Sequence, residues 1–341
     1  MAMEIFPNLP YDVGRECLAR VPFTSHFNMA AVCKSWKNTV NSSLFYHDRQ
    51  KLNMCQDLMV MVEDDPTSVC DAPRRVVIYD PLDNSRGILP SVPIEFQHYS
   101  HESHCVSVNN KLIVLGLSKQ AKEMVFVYDF CIGKWKRGAD LLKRIYGFCC
   151  SADSVNGLIY IAGGCDEDCK EVIEAAVYNV EKNSWQPLPR MNFIADECYS
   201  GFADGKFFVV CEYEPKAQVY DPHTGTWTTI DRYSVDPCLA AFGRLYYFQS
   251  CGKVIEYNYL ENEWSVAGTI PRNFIVEYAT LWRDIIFVWG FDRKRYSDAC
   301  YLFEPYTTDG HGHAGNTQKW TPMDIASHFS NWIYSIAFLK I

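Results

Sequence analysis

The sequence predicts a mainly β protein in which a small α-helical module precedes a six-bladed β-propeller closed by the C-terminal strand. Apolar residues recur at helical spacing in the first fifty residues and in alternation from about residue 57 onward. A tyrosine and a tryptophan then recur seven positions apart in successive units of the chain. The repeated region begins and ends with strand-like runs that lack a partner within their own unit. These features indicate a repeated β architecture that is completed by pairing its two ends.

The N-terminal segment is predicted to form two short helices. Val13, Cys17 and Val21 recur at a spacing of four, which is one apolar stripe of a helix, and a proline then ends it. A second stripe with the same spacing follows at Val32, Trp36 and Val40. Helices this short bury too little surface to be stable alone, so their apolar faces need the rest of the chain or a partner protein.

The remainder of the chain is read as repeated blades. In four units a tyrosine that ends an apolar run is followed seven positions later by a tryptophan. These pairs are Tyr128 and Trp135, Tyr178 and Trp185, Tyr220 and Trp227, and Tyr257 and Trp264. In the copy that begins at Tyr79, Arg86 stands in the tryptophan position, and in the copy that begins at Phe303 the tryptophan arrives late, at Trp320. The spacing of these units suits propeller blades.

Each of these units also contains a two-residue turn signal between apolar runs, which predicts antiparallel strands. The signals are Asn109-Asn110, Asn156-Gly157, Asp204-Gly205, Gly243-Arg244 and Arg283-Asp284. The first unit has no first strand before Leu58–Val62, whereas Ile333–Leu339 follows the last unit without a second strand. Pairing these two runs would complete a sixth blade and remove both open edges.

The composition argues against several classes of function. The formal net charge is −9 and no run of Lys and Arg offsets it, which argues against a nucleic-acid-binding protein. No apolar run is long enough to span a bilayer and the first residues do not form a secretory signal. We therefore expect no membrane contact and a cytoplasmic or nuclear location. Fifteen cysteines, an odd number, are expected to be reduced thiols.

No motif for catalysis, cofactor binding or metal binding stands in the context that it needs. Residues 310–315 match a dinucleotide-binding pattern, but they neither follow a strand nor open a helix. The histidines of residues 98–104 lack a helix to align them as zinc ligands, and Cys165 and Cys169 lack a second cysteine pair. We expect no catalytic residue, no cofactor and no metal, although residues from distant blades could still converge.

The N-terminal segment resembles the F-box motif, which has a Leu-Pro opening, a Leu-x-Arg-Leu-Pro centre and a Val-Cys-Lys-x-Trp helix. Leu9-Pro10, Leu18 to Pro22 and Val32 to Trp36 match these three parts, with Val21 in place of the usual Leu. The F-box family binds a Skp1-like adaptor and, through it, a cullin, so the resemblance implies these partners. The residues that it assigns to Skp1 binding are Leu9, Pro10, Leu18, Val21, Pro22, Val32, Cys33 and Trp36.

The repeats resemble Kelch repeats, because Gly163-Gly164 ends a second strand and is followed by the tyrosine and the tryptophan of its unit. The other units lack the double glycine. The expected organisation is an F-box helical module at residues 1–48, a linker at 49–56 and a six-bladed Kelch β-propeller at 57–341.

Together the two modules resemble a plant F-box/Kelch-repeat protein. The sequences Gly163–Asp168 and Asp196–Cys198 are similar to a subgroup that sends phenylalanine ammonia-lyase, chalcone synthase or cytokinin response regulators to the proteasome. The resemblance implies a non-catalytic substrate-recognition subunit of an SCF (Skp1-cullin-F-box) ubiquitin ligase. The alternative is a stand-alone Kelch propeller that acts as an enzyme or a small-molecule receptor.

The target protein is expected to bind to loops at one face of the propeller, because loops on a rigid scaffold commonly carry recognition. The expected residues are Arg144, Tyr146, Asp166, Glu167, Asp168, Arg190, Asp196, Glu197, Arg272 and Trp332. The acidic residues of this set come from neighbouring connections and are predicted to form one negative patch. Such a patch would attract a basic surface and speed association.

Overall fold

The computed structural model describes residues 5–64, 74–92, 104–117, 123–145, 147–194, 198–211, 216–231, 237–259, 261–305, 307–308, 314–315, 318–325 and 333–341. The chain divides into two compact units. The first comprises residues Met1–Leu141 together with Asn331–Ile341, and the second comprises Leu142–Ser330.

The first unit begins with four helices: α1 (Tyr11–Ala19), α2 (His26–Val32), α3 (Lys34–Val40) and α4 (Ser43–Lys51), with a 3-10 turn at Phe23–Ser25. The predicted apolar stripe of α1 is wrong. The helix ends at Ala19, before Val21, and Val13 and Cys17 are exposed. Its buried face is formed by Gly14, Leu18 and Ala19, which lie at helical spacing on the side that packs against the other helices.

The predicted second helix is in fact two helices that meet at Cys33. This residue is extended, with φ −160° and ψ 167°, and its thiol accepts a hydrogen bond from the Trp36 amide at 3.5 Å. Cys33 therefore caps α3, because an N-cap residue has extended backbone and satisfies an amide of the first turn. Val32 and Trp36 lie on different helices and do not share one stripe.

Two four-stranded blades complete the first unit. Blade one is formed by β1 (Asp57–Asp64), β2 (Arg74–Asp80), β3 (Ser85–Ile88) and the C-terminal strand β26 (Ile333–Lys340). Blade two is formed by β4 (His104–Val108), β5 (Lys111–Leu117), β6 (Glu123–Asp129) and β7 (Lys134–Arg137). The strand order of blade one is β26-β1-β2-β3, with Val60 opposite both Ile78 and Ala337. This antiparallel pairing confirms the predicted closure by the C-terminal strand.

The second unit contains the remaining four blades. Blade three is formed by β8 (Cys149–Asp153), β9 (Leu158–Ala162), β10 (Ala175–Asn179) and β11 (Ser184–Pro187), and blade four by β12 (Cys198–Ala203), β13 (Lys206–Cys211), β14 (Lys216–Asp221) and β15 (Thr226–Asp231). Blade five is formed by β16 (Cys238–Ala241), β17 (Arg244–Phe248), β18 (Lys253–Asn258) and β19 (Glu263–Thr269). Blade six is formed by β20 (Phe274–Trp282), β21 (Ile285–Asp292), β22 (Ser297–Glu304) and β25 (Lys319–Met323). The short strands β23 (Thr307–Thr308) and β24 (Ala314–Gly315) pair with each other in its insertion. The fold is therefore a six-bladed β-propeller with an N-terminal helical region, as predicted, although that region has four helices where two were expected.

The turns between the third and fourth strands share a feature that was not predicted from the sequence. The fifth residue after the repeated tyrosine has a positive φ in five blades: Asn84, Gly133, Asn183, Gly225 and Asn262, with φ between 50° and 68°. Asn and Gly tolerate this conformation better than other residues. In blades one, three and five the tyrosine hydroxyl also donates to the asparagine side chain at 2.5–2.6 Å, which holds the turn.

The repeated tryptophan fixes the connection that enters its blade. Trp135 Nε1 donates to the Pro90 carbonyl at 2.7 Å, and Trp227 Nε1 donates to the Pro189 carbonyl at 2.8 Å. Two of the predicted two-residue turns differ in the structure. In blade three Asp153 pairs with Leu158, so the turn has four residues, 154–157, and in blade five the turn shifts by one residue. The turn of blade five is Phe242-Gly243, because Ala241 pairs with Arg244 and Arg244 already belongs to β17.

Candidate functional site

The helices of the first unit carry several exposed apolar side chains. Leu9 and Val32 expose 42% and 62% of their area, and Tyr11, Val13 and Leu44 are also exposed. Leu9 lies just before α1 and Val32 at the end of α2, next to the break at Cys33. Tyr11, Val13 and Leu44 were not assigned to Skp1 binding from the sequence, because the motif that resembles the F-box does not include them.

The structure separates the eight residues assigned to Skp1 binding into two groups. The exposed group is Leu9, Pro10, Pro22, Val32 and Cys33; the half-buried or buried group is Val21, Trp36 and Leu18. Leu18 lies in the core of the helical module. Trp36 donates from Nε1 to the Ile5 carbonyl at 2.9 Å and packs edge-on against Phe6. The second group therefore shapes the module, and the first group is available to a partner.

A buried arginine joins the helices to one another. Arg49, in α4, is 1% exposed, and its guanidinium donates to the carbonyls of Ala19, Val21 and Met54 at 2.7–2.8 Å. No carboxylate among the described residues pairs with it. Burial lowers the pKa of Arg49, but the guanidinium remains charged at neutral pH because its ordinary pKa is so high. The hydrogen bonds to carbonyls replace water around this charge.

Gln56 connects Arg49 to blade one. Its Oε1 accepts from Arg49 Nη2 at 2.9 Å and from the Phe23 amide at 2.6 Å, while its Nε2 donates to Asp80 at 2.5 Å. Its backbone pairs in both directions with Ile341, at 2.6 and 2.8 Å. We refer to Arg49, Gln56 and these partners as the joint. Because Asp80 ends β2 and Ile341 directly follows β26, the joint fixes the helices to the first blade.

Apolar contacts accompany the polar contacts of the joint. Phe23 belongs to the core between blades one and two, and its ring lies 5.5 Å from that of Phe130 in blade two. Phe27 and Tyr46 pack against the same core. Thr24 Oγ1 and Ser85 Oγ, at the start of β3, lie 2.7 Å apart. The helices thus share both a polar network and an apolar core with the propeller.

His26 is buried beside the joint. Its Nε2 lies 3.1 Å from the Val21 carbonyl and 3.4 Å from Arg49 Nη1, and its ring contacts those of Phe23 and Phe45. Burial, reinforced by the charge of Arg49, lowers the pKa of His26 from 6.5 to about 3. The imidazole is therefore neutral at physiological pH, and its protonation would place two cations in one buried site.

The loop between β9 and β10 in blade three carries the predicted acidic sequence. Asp166 orders this loop, since its Oδ1 accepts from the amides of Asp168 and Lys170 at 3.0 Å, and its amide donates to the Lys170 carbonyl. The side chains of Glu167 and Asp168 are more than 60% exposed. Asp166 is therefore a structural residue of the loop, whereas Glu167 and Asp168 can contact a partner.

Basic side chains neutralise much of this surface. Arg144 lies 3.2 Å from Glu167, and Lys170 lies 3.5 Å from Asp168. Glu174 accepts from Lys143 at 2.8 Å, a hydrogen bond that lowers the pKa of its carboxyl, and Arg190 lies 3.6 Å from the same oxygen. The described part of the surface is thus mixed in charge. The predicted patch also includes Asp196 and Glu197, which lie outside the described residues, as do Tyr146, Trp332 and residues 310–313 of the pattern that resembles a dinucleotide-binding motif.

A buried glutamine anchors the connection from blade three to blade four. Gln218, in β14, is fully buried; its side chain accepts from the Asn192 amide at 2.8 Å and donates to the Phe193 carbonyl at 3.0 Å. Because Arg190 lies two residues before Asn192, Gln218 holds the backbone close to a predicted substrate-binding position. Nothing in the repeat pattern marked it, since the corresponding positions of other blades are mostly apolar.

The described residues contain neither a membrane-spanning helix nor a metal-binding cluster. No helix of the described chain is long and apolar enough to cross a membrane. Within the same residues, no group of three or more His, Cys, Asp or Glu side chains is placed to hold a metal ion. The cysteines of the described ranges form no disulfide.

Comparison with known proteins gives matches to both modules. The F-box domain model matches residues 6–48, and the Kelch motif model matches residues 147–192, which include blade three. The F-box/kelch-repeat protein At1g80440 of Arabidopsis thaliana is 30% identical over 320 residues, covering 84% of this chain and 88% of the relative. The Arabidopsis F-box/kelch-repeat protein At1g15670 is 32% identical over 232 residues, covering 63% of this chain and 64% of the relative. This chain therefore belongs to the F-box/kelch-repeat proteins.

Proposed function

We propose that this protein is the substrate-recognition subunit of an SCF-type ubiquitin ligase. The observation that carries this proposal is the group of exposed apolar side chains, led by Leu9 and Val32, on the F-box helices. Exposed apolar residues concentrated on a small module usually mark a protein-binding surface. The helices bind a Skp1-like adaptor and, through it, a cullin, while the propeller loops bind the protein that is to be ubiquitinated.

The protein itself carries out no covalent chemistry in this proposal. It holds lysines of the target near the ubiquitin-carrying enzyme, which raises their effective concentration. The joint supports this role, because Arg49 and Gln56 fix the F-box helices to blade one by hydrogen bonds at 2.5–2.9 Å. A fixed attachment keeps the effective concentration from being diluted over many orientations.

The target that we propose is a phenylpropanoid or flavonoid biosynthetic enzyme, such as phenylalanine ammonia-lyase or chalcone synthase, or a cytokinin response regulator. The similarity of Gly163–Asp168 to the corresponding subgroup supports this choice. The ordered loop of blade three supports it as well, because it displays Glu167 and Asp168 to solvent. The residues that we propose to bind the target are those expected from the sequence. Asp166 contributes indirectly, because it determines the shape of its loop.

Binding to the adaptor is tested with a double variant, Leu9→Asp and Val32→Asp. A charge on an apolar interface costs about tenfold or more in affinity at each site, so we expect the two changes to reduce binding of purified Skp1 by at least about a hundredfold. The matched control is Val155→Asp with Val266→Asp, two valines in blades three and five that are at least as exposed as Leu9 and Val32. Trp36→Ala is avoided, because Trp36 supports the module through Ile5 and Phe6.

The result is read by titration calorimetry together with thermal unfolding. Loss of Skp1 binding in the F-box variant alone, with both variants melting like the parent protein, supports the proposal. Equal Skp1 affinity of the two variants contradicts it. Absence of Skp1 binding by the parent protein also contradicts it and favours the alternative of a catalytic or ligand-binding propeller.

Binding of the target is tested with Glu167→Gln and Asp168→Asn in a reconstituted ligase. We expect slower ubiquitination of whichever candidate enzyme or regulator binds, because the loop loses both exposed carboxylates. The control is Glu181→Gln with Asp231→Asn, which removes two exposed carboxylates elsewhere in the same unit, one of them ion-paired like Asp168. Equal ubiquitination rates for both double variants contradict a role of this loop in target binding.

A further inference from the structure

A cluster of exposed cations occupies one turn of blade six. The turn joins β21 to β22 and contains Arg293, Lys294 and Arg295, and the neighbouring connection between β19 and β20 adds Arg272. We propose that these four residues and Tyr296, together called the basic turn, bind an acidic segment of the target protein. This inference rests on the proposed function, because it assigns a second contact surface on the same substrate-binding propeller.

Hydrogen bonds within the hairpin order the tip of this turn. β21 and β22 remain paired up to Asp292 and Ser297. The Asp292 Oδ1 accepts from the amides of Lys294 and Arg295 at 2.8 and 3.2 Å. The side chains of the three cations therefore project from a fixed turn, and little backbone entropy is lost when a ligand binds there.

A backbone hydrogen bond brings Arg272 to the same place. The Arg293 amide donates to the Asn273 carbonyl at 2.8 Å, which joins the turn to the connection that carries Arg272. That connection is itself tight, since the Phe274 amide donates to the Pro271 carbonyl at 3.2 Å. The four cations thus come from two chain segments that are held side by side.

The basic turn has more positive charge than its immediate surroundings neutralise. Asp292 forms one ion pair, with Arg295 at 3.7 Å, and its carboxylate is mostly used to cap the turn. Arg272, Arg293 and Lys294 form no ion pair with the residues that the structure describes. The four cations outnumber the three carboxylates of this region, Asp292, Glu277 and Asp298, and this local excess of positive charge, in a chain of net charge −9, favours an anionic ligand.

Tyr296 adds an aromatic surface to these charges. Its side chain is 84% exposed, and its backbone has a positive φ of 52°, which bulky residues rarely adopt. The ring lies 6.4 Å from that of Phe291, edge-on. A phenol beside guanidinium groups can stack on peptide groups and donate to a carboxylate or phosphate oxygen.

A protein segment fits this surface better than a nucleic acid. Four cations on one turn cover a short stretch of ligand, whereas a nucleic acid needs a longer basic track and is repelled by the net negative charge of the chain. The ligand groups are carboxylates or phosphates, which arginine binds in a bidentate manner. The inferred ligand is therefore a short acidic or phosphorylated stretch of polypeptide.

The proposal is tested on the full-length protein by fluorescence anisotropy. The anionic probes are a labelled peptide of alternating Glu and Gly and the same peptide with phosphoserine in place of Glu. The other probes are the same peptide with Gln in place of Glu, which is uncharged, and a single-stranded oligonucleotide. The variant is Arg272→Gln, Arg293→Gln, Lys294→Gln and Arg295→Gln, which leaves the backbone bonds of the turn intact. The control removes four exposed cations elsewhere: Lys134→Gln, Lys136→Gln, Lys182→Gln and Lys253→Gln.

We expect the variant to bind the Glu or the phosphoserine peptide about 15-fold more weakly than the parent, because four exposed ion pairs contribute about twofold each. The control should lose less than about threefold. The affinity of the parent should also fall as salt rises from about 0.01 M to about 0.15 M, where the Debye length shrinks from about 30 to about 8 Å. Comparison of the two peptides shows whether carboxylates or phosphates are preferred.

Three results would overturn the proposal: no binding of either anionic peptide, equal loss in the variant and the control, or tighter binding of the oligonucleotide than of the peptides. Skp1 binding is measured in parallel on the same samples. If Skp1 binds but the peptides do not, the basic turn is misassigned and the ligase role stands. If the peptides bind but Skp1 does not, the ligase role fails and the anion-binding surface remains.

Discussion

The buried imidazole of His26 makes the F-box module sensitive to acid. In the folded protein the ring lies beside the Arg49 guanidinium and between the rings of Phe23 and Phe45, and its pKa is lowered to about 3. In the unfolded chain the same group is exposed to water and has a pKa of about 6.5. Between these two values the unfolded state binds more protons, so stability decreases as pH falls through this window.

The size of the effect follows from the two pKa values. At pH 7.5 His26 is neutral in both states and the contribution is nearly zero. At pH 5, which is about 1.5 units below the pKa of His26 in the unfolded chain, protonation stabilises the unfolded state. At about 1.36 kcal/mol per unit, the free energy of unfolding falls by about 2 kcal/mol. At pH 4 the loss grows to about 3 kcal/mol, because the folded protein still excludes the proton.

The assay compares the parent protein with His26→Phe between pH 7.5 and pH 5. Phenylalanine keeps the ring contacts and does not titrate, and the Val21 carbonyl retains its hydrogen bond from Arg49. Hydrogen exchange of the α2 amides, measured with urea unfolding, reports the stability of this module at each pH. The parent should lose about 2 kcal/mol more than His26→Phe over this range. Equal losses in the two proteins would refute the reasoning, since all other titrating groups are shared.

Three further substitutions test individual contacts. Arg49→Met should destabilise the first unit by about 3–5 kcal/mol in urea unfolding, because three backbone carbonyls lose a buried donor, and Arg49→Lys should not restore it. Gln218→Leu should cost about 1–3 kcal/mol and speed exchange of the amides around Phe193; unchanged exchange would exclude an anchoring role. Asn183→Ala should cost about 1–2 kcal/mol through its positive φ and the lost bond from Tyr178, whereas Asn183→Gly should recover the backbone part, as a melting comparison would show.

The repeated features of the fold could be predicted from the sequence. The tyrosine and tryptophan offset and the two-residue turns are local patterns, and each recurs often enough to identify a four-stranded unit. The pairing of β1 with β26 could be predicted as well, although it joins Val60 to Ala337, because only one strand was missing at each end. The recurrent Asn or Gly after the tyrosine could have been found in the same way, since its position is equally regular.

The contacts that hold the helices could not be predicted. Arg49 meets Ala19 and Val21 across about thirty residues of sequence, and a charged residue in a short helix is normally read as exposed. The prediction of the helical stripes was wrong for a related reason. Val32 and Trp36 have helical spacing, but a thiol cap at Cys33 starts a new helix, and spacing alone does not detect such a break.

The position of the joint sets the orientation of the F-box helices relative to blade one, which matters for a ligase of this kind. Residues 49–56 were expected to be a linker, but they contain Arg49 and Gln56, and their partners belong to the helices and to blade one. The helices, the joint and blade one lie in one compact unit, so their relative orientation is set by buried hydrogen bonds. An adaptor bound to the helices would therefore keep a fixed distance from blade one, and the geometry of the joint would set that distance.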